Sequence, residues 1–471
     1  MGPVHRQESQ DHVIDGQRRD ARALTRHDAR SPFSNRWFLL AAAETIVLGF
    51  LVLPDTRVHL APYLLLFLAG TAVSLLAARI LSASGLTFLL FCGALLRITL
   101  IARAPDLSDD VSRYLWDGRV AAAGISPYAL PPSDPAVAGI APELARRVAH
   151  PDVPTVYPPV AQAAFRVFGA RGHLVVWKAF SAAADLSIVA ILWSGAPGAA
   201  CAAALYAFHP LAVTEAAGEG HLDSLGVALL LACMAYIARG RRALAGVAFA
   251  MSVLTKYISL VAAVPLFQRG RSKFLAACAL TAAVLWLAAS RPGVSPVGGL
   301  GQYATRWDFN SPAYAAAVKL MDVSDLPRAA KDAFLDLKAR WGHPAWTLRV
   351  FPYFYSAFFA RVLLGLLLAG ALLVIASRVR DVEAGVFASL AGLLLLSPTL
   401  HPWYLLWVLP FAARRREPAF LFLSFCAPLS YALLYPLPGV PPALVLAAEY
   451  VPFALLLGWT ILKSPRPGTE D

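Results

Sequence analysis

Long apolar runs alternate with short polar segments along most of the chain. A transmembrane α-helix needs about 20 mainly apolar residues, and many of these runs reach or approach that length. One run, 243–267, is interrupted by Thr255-Lys256 and closed by Pro265, so we expect a pair of short helices that enter the membrane and return. The pattern predicts an all-α polytopic membrane protein with about 12–14 transmembrane helices. The runs lie at about 37–53, 60–78, 86–102, 172–193, 198–210, 222–238, 243–267, 274–290, 350–376, 384–399, 401–413, 418–436 and 442–462.

Composition supports a membrane protein and argues against other classes. Of the 471 residues, 58% are hydrophobic and only 15% are charged, which is too little charge for the surface of a soluble protein. The net charge of +12 comes from short basic clusters between apolar runs, a pattern of cytoplasmic loops that argues against nucleic-acid binding. The five cysteines lie inside apolar runs without a CxxC pair, so neither a disulfide framework nor a thiolate metal site is expected.

The basic clusters also predict which side of the membrane each loop faces. Residues 1–36 are polar, contain seven arginines and are predicted to form a disordered cytoplasmic tail. With this tail inside, the later short clusters all alternate into the cytoplasm, as does the tail 464–471. The long loops at about 103–171 and 291–349 then lie on the periplasmic face of a transmembrane domain that spans 37–463.

The first of these loops contains the adjacent carboxylates Asp109 and Asp110 at the start of a predicted helix, 108–123. Such a pair beside a membrane is typical of a site for a proton, a cation or a polar substrate. The alternative is a helix N-terminus whose acids are stabilised by the helix dipole. Either carboxylate could accept a proton from a hydroxyl, with nearby cations and aromatic rings as substrate contacts. The candidate contacts in this loop are Arg113, Trp116, Asp117, Arg119, Tyr128 and Tyr157.

A second cluster of ionisable residues lies between two apolar runs on the same predicted face. It contains Glu215, Glu219, His221 and Asp223 around two glycines, a density that indicates a functional site. These side chains could also hold a divalent metal, although no recognised ligand spacing such as HExxH occurs. A cofactor is therefore not predicted with certainty from this cluster.

Four further candidates lie outside these two clusters. Lys256 is a cation in apolar surroundings, which favours either an anionic partner such as a phosphate or a side chain that reaches the interface. Arg306, His401 and Tyr404 lie in aromatic, polar segments on the predicted outer face. The tryptophans beside them, Trp403 and Trp407, are interpreted as residues of an ordinary interface belt.

Several of these segments resemble bacterial polytopic mannosyltransferase-like proteins of the GT-C glycosyltransferase superfamily. The resemblance covers roughly residues 85–436 and is most specific at 108–119 with Gly124 to Tyr128. The weaker motifs follow in the expected order: Tyr157-Pro-Pro, Gly220-His-Leu-Asp223, Thr255-Lys-Tyr257, and Ser397-Pro-Thr-Leu-His-Pro-Trp-Tyr404.

The resemblance implies a GT-C-like helix bundle in a bacterial inner membrane and an enzyme that acts at its non-cytoplasmic face. Its implied partners are a polyprenyl-phosphate-linked sugar donor, a glycan or lipid acceptor, and membrane lipids. The resemblance places the catalytic acid at Asp109 or Asp110 without choosing between them, and mannose is indicated by the resemblance alone. A single displacement would invert the anomeric carbon, with Lys256, Arg113 or Arg306 as cations for the leaving phosphate. Two alternatives stay open: a transporter or flippase of lipid-linked sugars, and a ligase or polymerase that uses lipid-diphosphate carriers.

Overall fold

Helices make up the regular structure of the chain. A computed structural model describes residues 32–463, apart from 82–84, 194–197, 270–271 and 343–344. Within these ranges it contains two isolated β-bridges and no β-strand, so the predicted all-α fold is confirmed. The predicted tails lie outside the described residues, except that 32–36 forms the start of the first helix.

The amino-terminal half contains twelve helices in the described residues. They are α1 (Pro32–Val52), α2 (Leu60–Ile80), α3 (Leu86–Ile101), α4 (Asp110–Ala122), α5 (Pro142–Ala145), α6 (Pro159–Ala164), α7 (Leu174–Leu192), α8 (Ala199–Ala207), α9 (Pro210–Val213), α10 (Asp223–Ala238), α11 (Arg242–Val253) and α12 (Ala263–Arg269). Two π-helical turns, Phe165–Gly169 and Thr214–Gly218, continue α6 and α9, and a 3₁₀ segment, Tyr257–Ala262, precedes α12.

The carboxyl-terminal part continues with α13 (Ser272–Ala289), α14 (Leu300–Arg306), α15 (Pro312–Val323), α16 (Leu326–Arg340), α17 (Thr347–Val350), α18 (Ser356–Arg378), α19 (Val382–Leu396), α20 (Leu409–Arg415), α21 (Pro418–Cys426), α22 (Tyr431–Leu434) and α23 (Pro442–Lys463). A 3₁₀ segment, Pro402–Trp407, lies between α19 and α20.

Six described helices are long and apolar enough to cross a membrane, namely α1, α2, α7, α13, α18 and α23. A seventh candidate is the pair Pro210–Gly218 and Asp223–Ala238, which is bent by 119° at residues 219–222. Five shorter apolar helices also occur in the described residues, so six or seven spans are supported there and the predicted count of 12–14 stays a prediction. The predicted break in 243–267 is present, because α11 ends at Val253 and the next helical segment begins at Tyr257.

The helices bury small and apolar residues against each other and turn other apolar side chains outwards. The exposed side chains include Leu68, Leu366 and Leu462 on three of the candidate spans. A soluble protein rarely exposes apolar faces of this extent, whereas lipid chains cover them at no cost. This distribution supports the confirmed assignment to a polytopic membrane protein.

One buried ion pair connects two of the apolar helices, α3 and α7. Arg97 of α3 donates to Asp185 of α7 through Nε at 2.7 Å, and both side chains are fully buried. The other Asp185 oxygen accepts hydrogen bonds from Tyr206 at 2.7 Å and Ser224 at 3.0 Å. Because every charged group has a partner, Asp185 is a paired contact between helices.

The helix that begins at Asp110 packs on another part of the loop 103–171 at a glycine. A β-carbon added at Gly118 would come within 2.3 Å of the carbonyl oxygen of Phe165, which is closer than any real contact. Glycine therefore allows α4 to pack directly on the π-helical turn 165–169. This packing fixes the position of Asp110 at the other end of the helix.

Candidate active site

The two adjacent aspartates face different surroundings. Asp109 lies just before α4, is about half exposed and accepts a hydrogen bond from Arg57 Nη2 at 2.8 Å. The Asp110 side chain is 31% exposed and accepts hydrogen bonds from the hydroxyls of Tyr114 at 3.3 Å and Tyr157 at 3.4 Å. Asp110 therefore faces Tyr114, Tyr157 and His221, whereas Asp109 pairs with the loop between α1 and α2.

The surroundings of Asp110 favour proton transfer. Burial raises the pKa of its carboxyl above the ordinary value, and the Asp223 carboxylate adds to the rise. The Lys256 ammonium and the hydroxyls of Tyr114 and Tyr157 act in the opposite direction. A carboxylate with a raised pKa is a stronger proton acceptor, provided that it is ionised at the working pH.

Tyr114 and Tyr157 are held rigidly beside this carboxylate. The Tyr114 ring stacks on Phe165 at 4.7 Å and meets the Tyr157 ring edge-on at 5.1 Å. The hydroxyl of Tyr128 donates to the carbonyl oxygen of Tyr157 at 3.0 Å, so Tyr128 positions its neighbour. Burial and the charge of Asp110 raise the pKa of Tyr114 and Tyr157, so both hydroxyls keep their protons and remain donors.

His221 lies between Asp110 and a second buried carboxyl. Its Nδ1 is 3.7 Å from Asp110 Oδ2, and its Nε2 is 3.3 Å from Glu215 Oε2. The imidazole stacks on Trp403 at 3.9 Å with an interplanar angle of 14°. Glu215 also accepts a hydrogen bond from Tyr431 at 3.0 Å, so the line of groups continues into the helix bundle.

A column of stacked rings extends from His221 into the second half of the chain. Trp403 stacks on His401 at 4.3 Å, and His401 stacks on Phe309 at 4.6 Å. Burial and the nearby Lys256 ammonium lower the pKa of His401 to about 3, so its ring in this column is neutral. The segments around Phe309 and His401 are also joined by backbone hydrogen bonds, Phe309 N to Pro398 O at 3.0 Å and Leu400 N to Phe309 O at 2.8 Å.

Lys256 is the cation of the candidate site. Its Nζ donates to both carboxylate oxygens of Asp223, at 2.8 and 2.9 Å, and its side chain is 13% exposed. The ammonium also lies 4.3 Å from the ring centroid of Tyr404, a cation–π geometry. The indole of Trp407 donates to Asp223 at 2.7 Å, so this carboxylate has a partner in addition to the lysine.

Glu219 supports the aspartate-bearing loop. Its carboxylate accepts hydrogen bonds from the backbone N–H groups of Leu107 at 3.1 Å and Ser108 at 3.0 Å. These groups immediately precede α4, so Glu219 fixes the entry to the helix that carries Asp110. Its role in the geometry is support of the backbone, whereas the sequence predicted a substrate contact.

The other predicted contacts of the first loop turn away from the Asp110 carboxyl. Arg113 and Asp117 form a buried ion pair at 2.8 Å, and Asp117 also accepts from Gln162 at 2.8 Å. Trp116 is fully buried in a small apolar cluster and so offers no open ring face for a sugar. Arg119 donates to the carbonyl oxygen of Arg171 at 2.9 Å. These side chains pack the loop, because the helix directs them towards its other segments.

Arg306 also lies apart from this group. Its guanidinium is mostly exposed and pairs with Asp152 at 3.5 Å, another exposed side chain. The interface-belt interpretation of Trp403 and Trp407 is wrong, because both side chains are buried and contact His221 and Asp223.

Sequence reasoning missed Tyr114, Tyr303 and Tyr431, whose hydroxyls hydrogen-bond the groups of the site. Tyr303 and Tyr404 share a hydrogen bond at 2.7 Å, although 101 residues separate them. Only Tyr114 carried a local signal, since it lies four residues after Asp110 on a helix.

The described part of the chain contains no group of three or more His, Cys, Asp and Glu side chains that could hold a metal ion. Each acid of the cluster at 215–223 instead contacts protein groups, such as Lys256 at Asp223 and the backbone of 107–108 at Glu219. A divalent metal stays the alternative that the sequence left open.

The sequence was compared with known proteins. The model of the MptA_B family, described as "Alpha-(1->6)-mannopyranosyltransferase, N-terminal domain", matches residues 24–268. No curated protein and no solved structure matches the chain. The matched region is just over half of the 471 residues and includes Asp110, His221 and Lys256. The chain therefore belongs to the MptA_B family and is a membrane mannosyltransferase.

Proposed function

We propose that the enzyme transfers mannose from a polyprenyl-phosphate donor to a glycan or lipid acceptor, at the periplasmic face and with inversion of the anomeric carbon. The proposal rests chiefly on one observation. A partly open carboxyl with a raised pKa, Asp110, lies within the electrostatic reach of a largely buried cation, Lys256. A displacement by a hydroxyl needs both groups, a base for the proton and a cation for the leaving phosphate.

The proposed step is one displacement. The acceptor hydroxyl oxygen attacks the anomeric carbon of mannose, and its proton passes to Asp110. The bond between the anomeric carbon and the phosphate oxygen breaks, and its electron pair stays on the phosphate. Lys256 then stabilises the added negative charge, while Asp223 and the ring of Tyr404 hold the ammonium in place. No second carboxylate has to act as a nucleophile in this step.

The product anomer restricts the donor. The family is described by an alpha-(1->6) linkage. An α product formed with inversion requires a donor in which mannose is β-linked to phosphate, because each displacement reverses the configuration. We therefore propose the β-linked lipid phosphate as the donor and a primary hydroxyl of a mannose-containing acceptor as the nucleophile.

The periplasmic face is proposed from the charge pattern. The short basic clusters of the apolar chain alternate onto one side, which is the cytoplasmic side in bacterial membranes. The candidate active site lies on the outer loops, opposite these clusters in that arrangement. A lipid-linked donor suits this location, since nucleotide sugars are made in the cytoplasm while a lipid carrier can present its sugar on the other side.

The aspartates provide the test with a built-in control. In the purified, detergent-solubilised enzyme, we expect Asp110→Asn to lower kcat for mannose transfer by about 10²–10⁴-fold, the usual contribution of a general base. Asp109→Asn should lose no more than about tenfold, because Asp109 is exposed and pairs with Arg57. Equal transfer rates for the two variants, both shown to be folded, would refute the assignment.

A donor panel tests the chemistry separately. Radiolabelled mannose is offered as polyprenyl phosphate, polyprenyl diphosphate or nucleotide sugar, with membrane glycolipid extract as the acceptor. We expect transfer only from the lipid monophosphate, and an α linkage in the product by glycosidase digestion. Transfer from the diphosphate instead would indicate a ligase-type reaction, and a β-linked product would contradict inversion from a β-linked donor.

A further inference from the structure

His221 is buried between two carboxyls and lacks an ordinary hydrogen-bond partner for its ring. The side chain is 1% exposed, and neither ring nitrogen has a hydrogen bond within the described residues. Nδ1 faces Asp110 at 3.7 Å and Nε2 faces Glu215 at 3.3 Å. A buried polar group is costly when it is unpaired, so these two contacts are the groups that can satisfy the ring.

The position of His221 is fixed by the backbone and by stacking. Its N–H donates to the carbonyl oxygen of Glu215 at 2.9 Å, and its carbonyl oxygen accepts from Ser181 Oγ at 2.7 Å. The ring face is covered by Trp403 at 3.9 Å. The ring is held in register with both carboxyls, although it touches no open space where a sugar could bind.

The number of protons on these groups determines which of them donates and which accepts at each contact. A neutral imidazole has one N–H and one acceptor nitrogen. Asp110 must be ionised to act as a base, so the N–H belongs on Nδ1 and Nε2 must accept. Among the described residues, the group that faces Nε2 is the Glu215 carboxyl, which must then carry a proton on Oε2, while Tyr431 donates to Oε1 at 3.0 Å. Each donor in the series then faces Asp110.

We propose that Tyr431, Glu215 and His221 form a one-directional chain of donors that orients Asp110 and stabilises its ionised form. His221 is thus a positioning residue of the transfer reaction, and Glu215 acts as a neutral acid rather than as a substrate contact. The inference rests on the proposed role of Asp110 as the base. It replaces the substrate-binding role that the sequence predicted for Glu215 and His221.

The groups that influence the ionisation of Asp110 come from several elements of the structure. Tyr114 is on the same helix, Tyr157 lies in the first outer loop, and Asp223, Lys256 and His221 lie on the later segments. Of these groups, only His221 is exchanged in the experiment. The ring of His221 itself faces Asp110, Glu215 and Trp403 and lies within the electrostatic reach of Lys256 and His401.

The first experiment measures kcat/KM against pH for His221→Ala and His221→Asn. His221→Ala removes the N–H group that faces the ionised carboxylate at 3.7 Å, so the acid limb should move to higher pH, by about half to one pH unit. The amide nitrogen of an asparagine lies near the position of Nδ1, so the acid limb of His221→Asn should lie close to that of the wild type. His209→Asn is the matched control, because His209 is a buried histidine stacked on Phe425 away from Asp110, and its cap position suits asparagine. An acid limb that is the same in His221→Ala and the wild type would overturn the proposal.

Glu215 distinguishes the proposed chain from its reverse. Glutamine can donate to Nε2 as a protonated glutamate does, so Glu215→Gln should keep the wild-type acid limb and regain activity that Glu215→Ala loses. Tyr431 donates to Glu215 Oε1, so a glutamine that keeps this contact through its carbonyl oxygen presents its N–H to Nε2. If Glu215 were an ionised acceptor, glutamine in this orientation would favour the opposite tautomer of His221 and would lose as much activity as alanine. That second outcome contradicts the proposal.

A spectroscopic measurement is independent of donor and acceptor. In protein with ¹⁵N-labelled histidine, the resonance lost in His221→Asn identifies the ring of His221. We expect a neutral ring protonated on Nδ1, and a ring protonated on Nε2 would overturn the inference whether or not transfer is detected. Failure of the proposed function would appear differently, as wild-type enzyme that is inactive with polyprenyl-phosphate mannose.

Discussion

The ion pair between Lys256 and Asp223 allows structural and catalytic roles of a buried cation to be separated. Lys256 Nζ lies 2.8 and 2.9 Å from the two carboxylate oxygens, with 13% of the lysine side chain and none of the aspartate side chain exposed. Removing one partner of such a pair leaves an unpaired buried charge and costs about 3–5 kcal/mol of stability. Lys256→Met therefore should destabilise the protein by about this amount, less the contribution of Trp407, which still donates to Asp223.

The double variant Lys256→Met/Asp223→Leu should recover most of that loss, because replacement of a buried pair by apolar residues is often neutral in stability. Its activity should not recover. If Lys256 faces the leaving phosphate as we propose, its loss should lower kcat by about 10²–10³-fold, the cost of removing one preorganised electrostatic contact in other enzymes. The stability of the double variant would thus be near wild type while its transfer rate stays low.

Single substitutions of Lys256 and Asp223 should move the acid limb of the pH–activity profile in opposite directions. Lys256 lowers the pKa of Asp110 and Asp223 raises it. In the proposed mechanism ionised Asp110 is the active form, so activity should be lost as the pH falls through its pKa. Lys256→Met should therefore move the acid limb of kcat/KM to higher pH, and Asp223→Asn should move it to lower pH.

The assay is thermal or denaturant unfolding in detergent together with transfer of radiolabelled mannose from the lipid phosphate. Tyr404→Leu provides a comparison, because it removes the cation–π contact of Lys256 and leaves the ion pair in place. If the double variant regained a rate within about threefold of the wild type, Lys256 would be a structural residue only. The proposed role in stabilising the phosphate would then be refuted.

Two further predictions concern topology and packing. In a cysteine-free background, Arg306→Cys on an exposed outer-loop side chain should react with a membrane-impermeant maleimide in intact spheroplasts, and Arg239→Cys should react only after permeabilisation; the reverse pattern would invert the proposed orientation. Gly118→Ala should destabilise the protein by about 1–3 kcal/mol because its β-carbon would overlap Phe165 O, whereas Gly301→Ala, with open space around it, should be neutral within about 1 kcal/mol in the same unfolding assay.

Much of the helix pattern could be predicted because a helix has to meet only two requirements to lie in a bilayer. The backbone must satisfy its own hydrogen bonds and the side chains must be apolar over a sufficient length, and both conditions are local. The break before Tyr257 was also visible, since Thr255-Lys256 interrupts an apolar run. The helical position of the aspartate pair followed from the acids and the turn residues around α4.

The contacts within the candidate site could not be predicted in the same way. Trp407 contacts Asp223 across 184 residues, and Tyr431 contacts Glu215 across 216. A tryptophan near a membrane surface has the same local sequence signal whether it lies in an interface belt or contacts a buried carboxylate. Only the packing of the helices decides between these two roles, so composition favoured the commoner one.

The sequence also could not decide which of Asp109 and Asp110 is the candidate base. The geometry at the start of α4 explains why. Successive residues of a helix are separated by about 100° around its axis, so neighbouring side chains point to different surroundings. Asp109 points to Arg57 on the loop between α1 and α2, and Asp110 points to Tyr157 and His221. The repulsion between adjacent carboxylates is thereby reduced, since one charge is neutralised by an arginine outside the site. The other remains available for a proton, and this separation is what the comparison of the two asparagine variants measures.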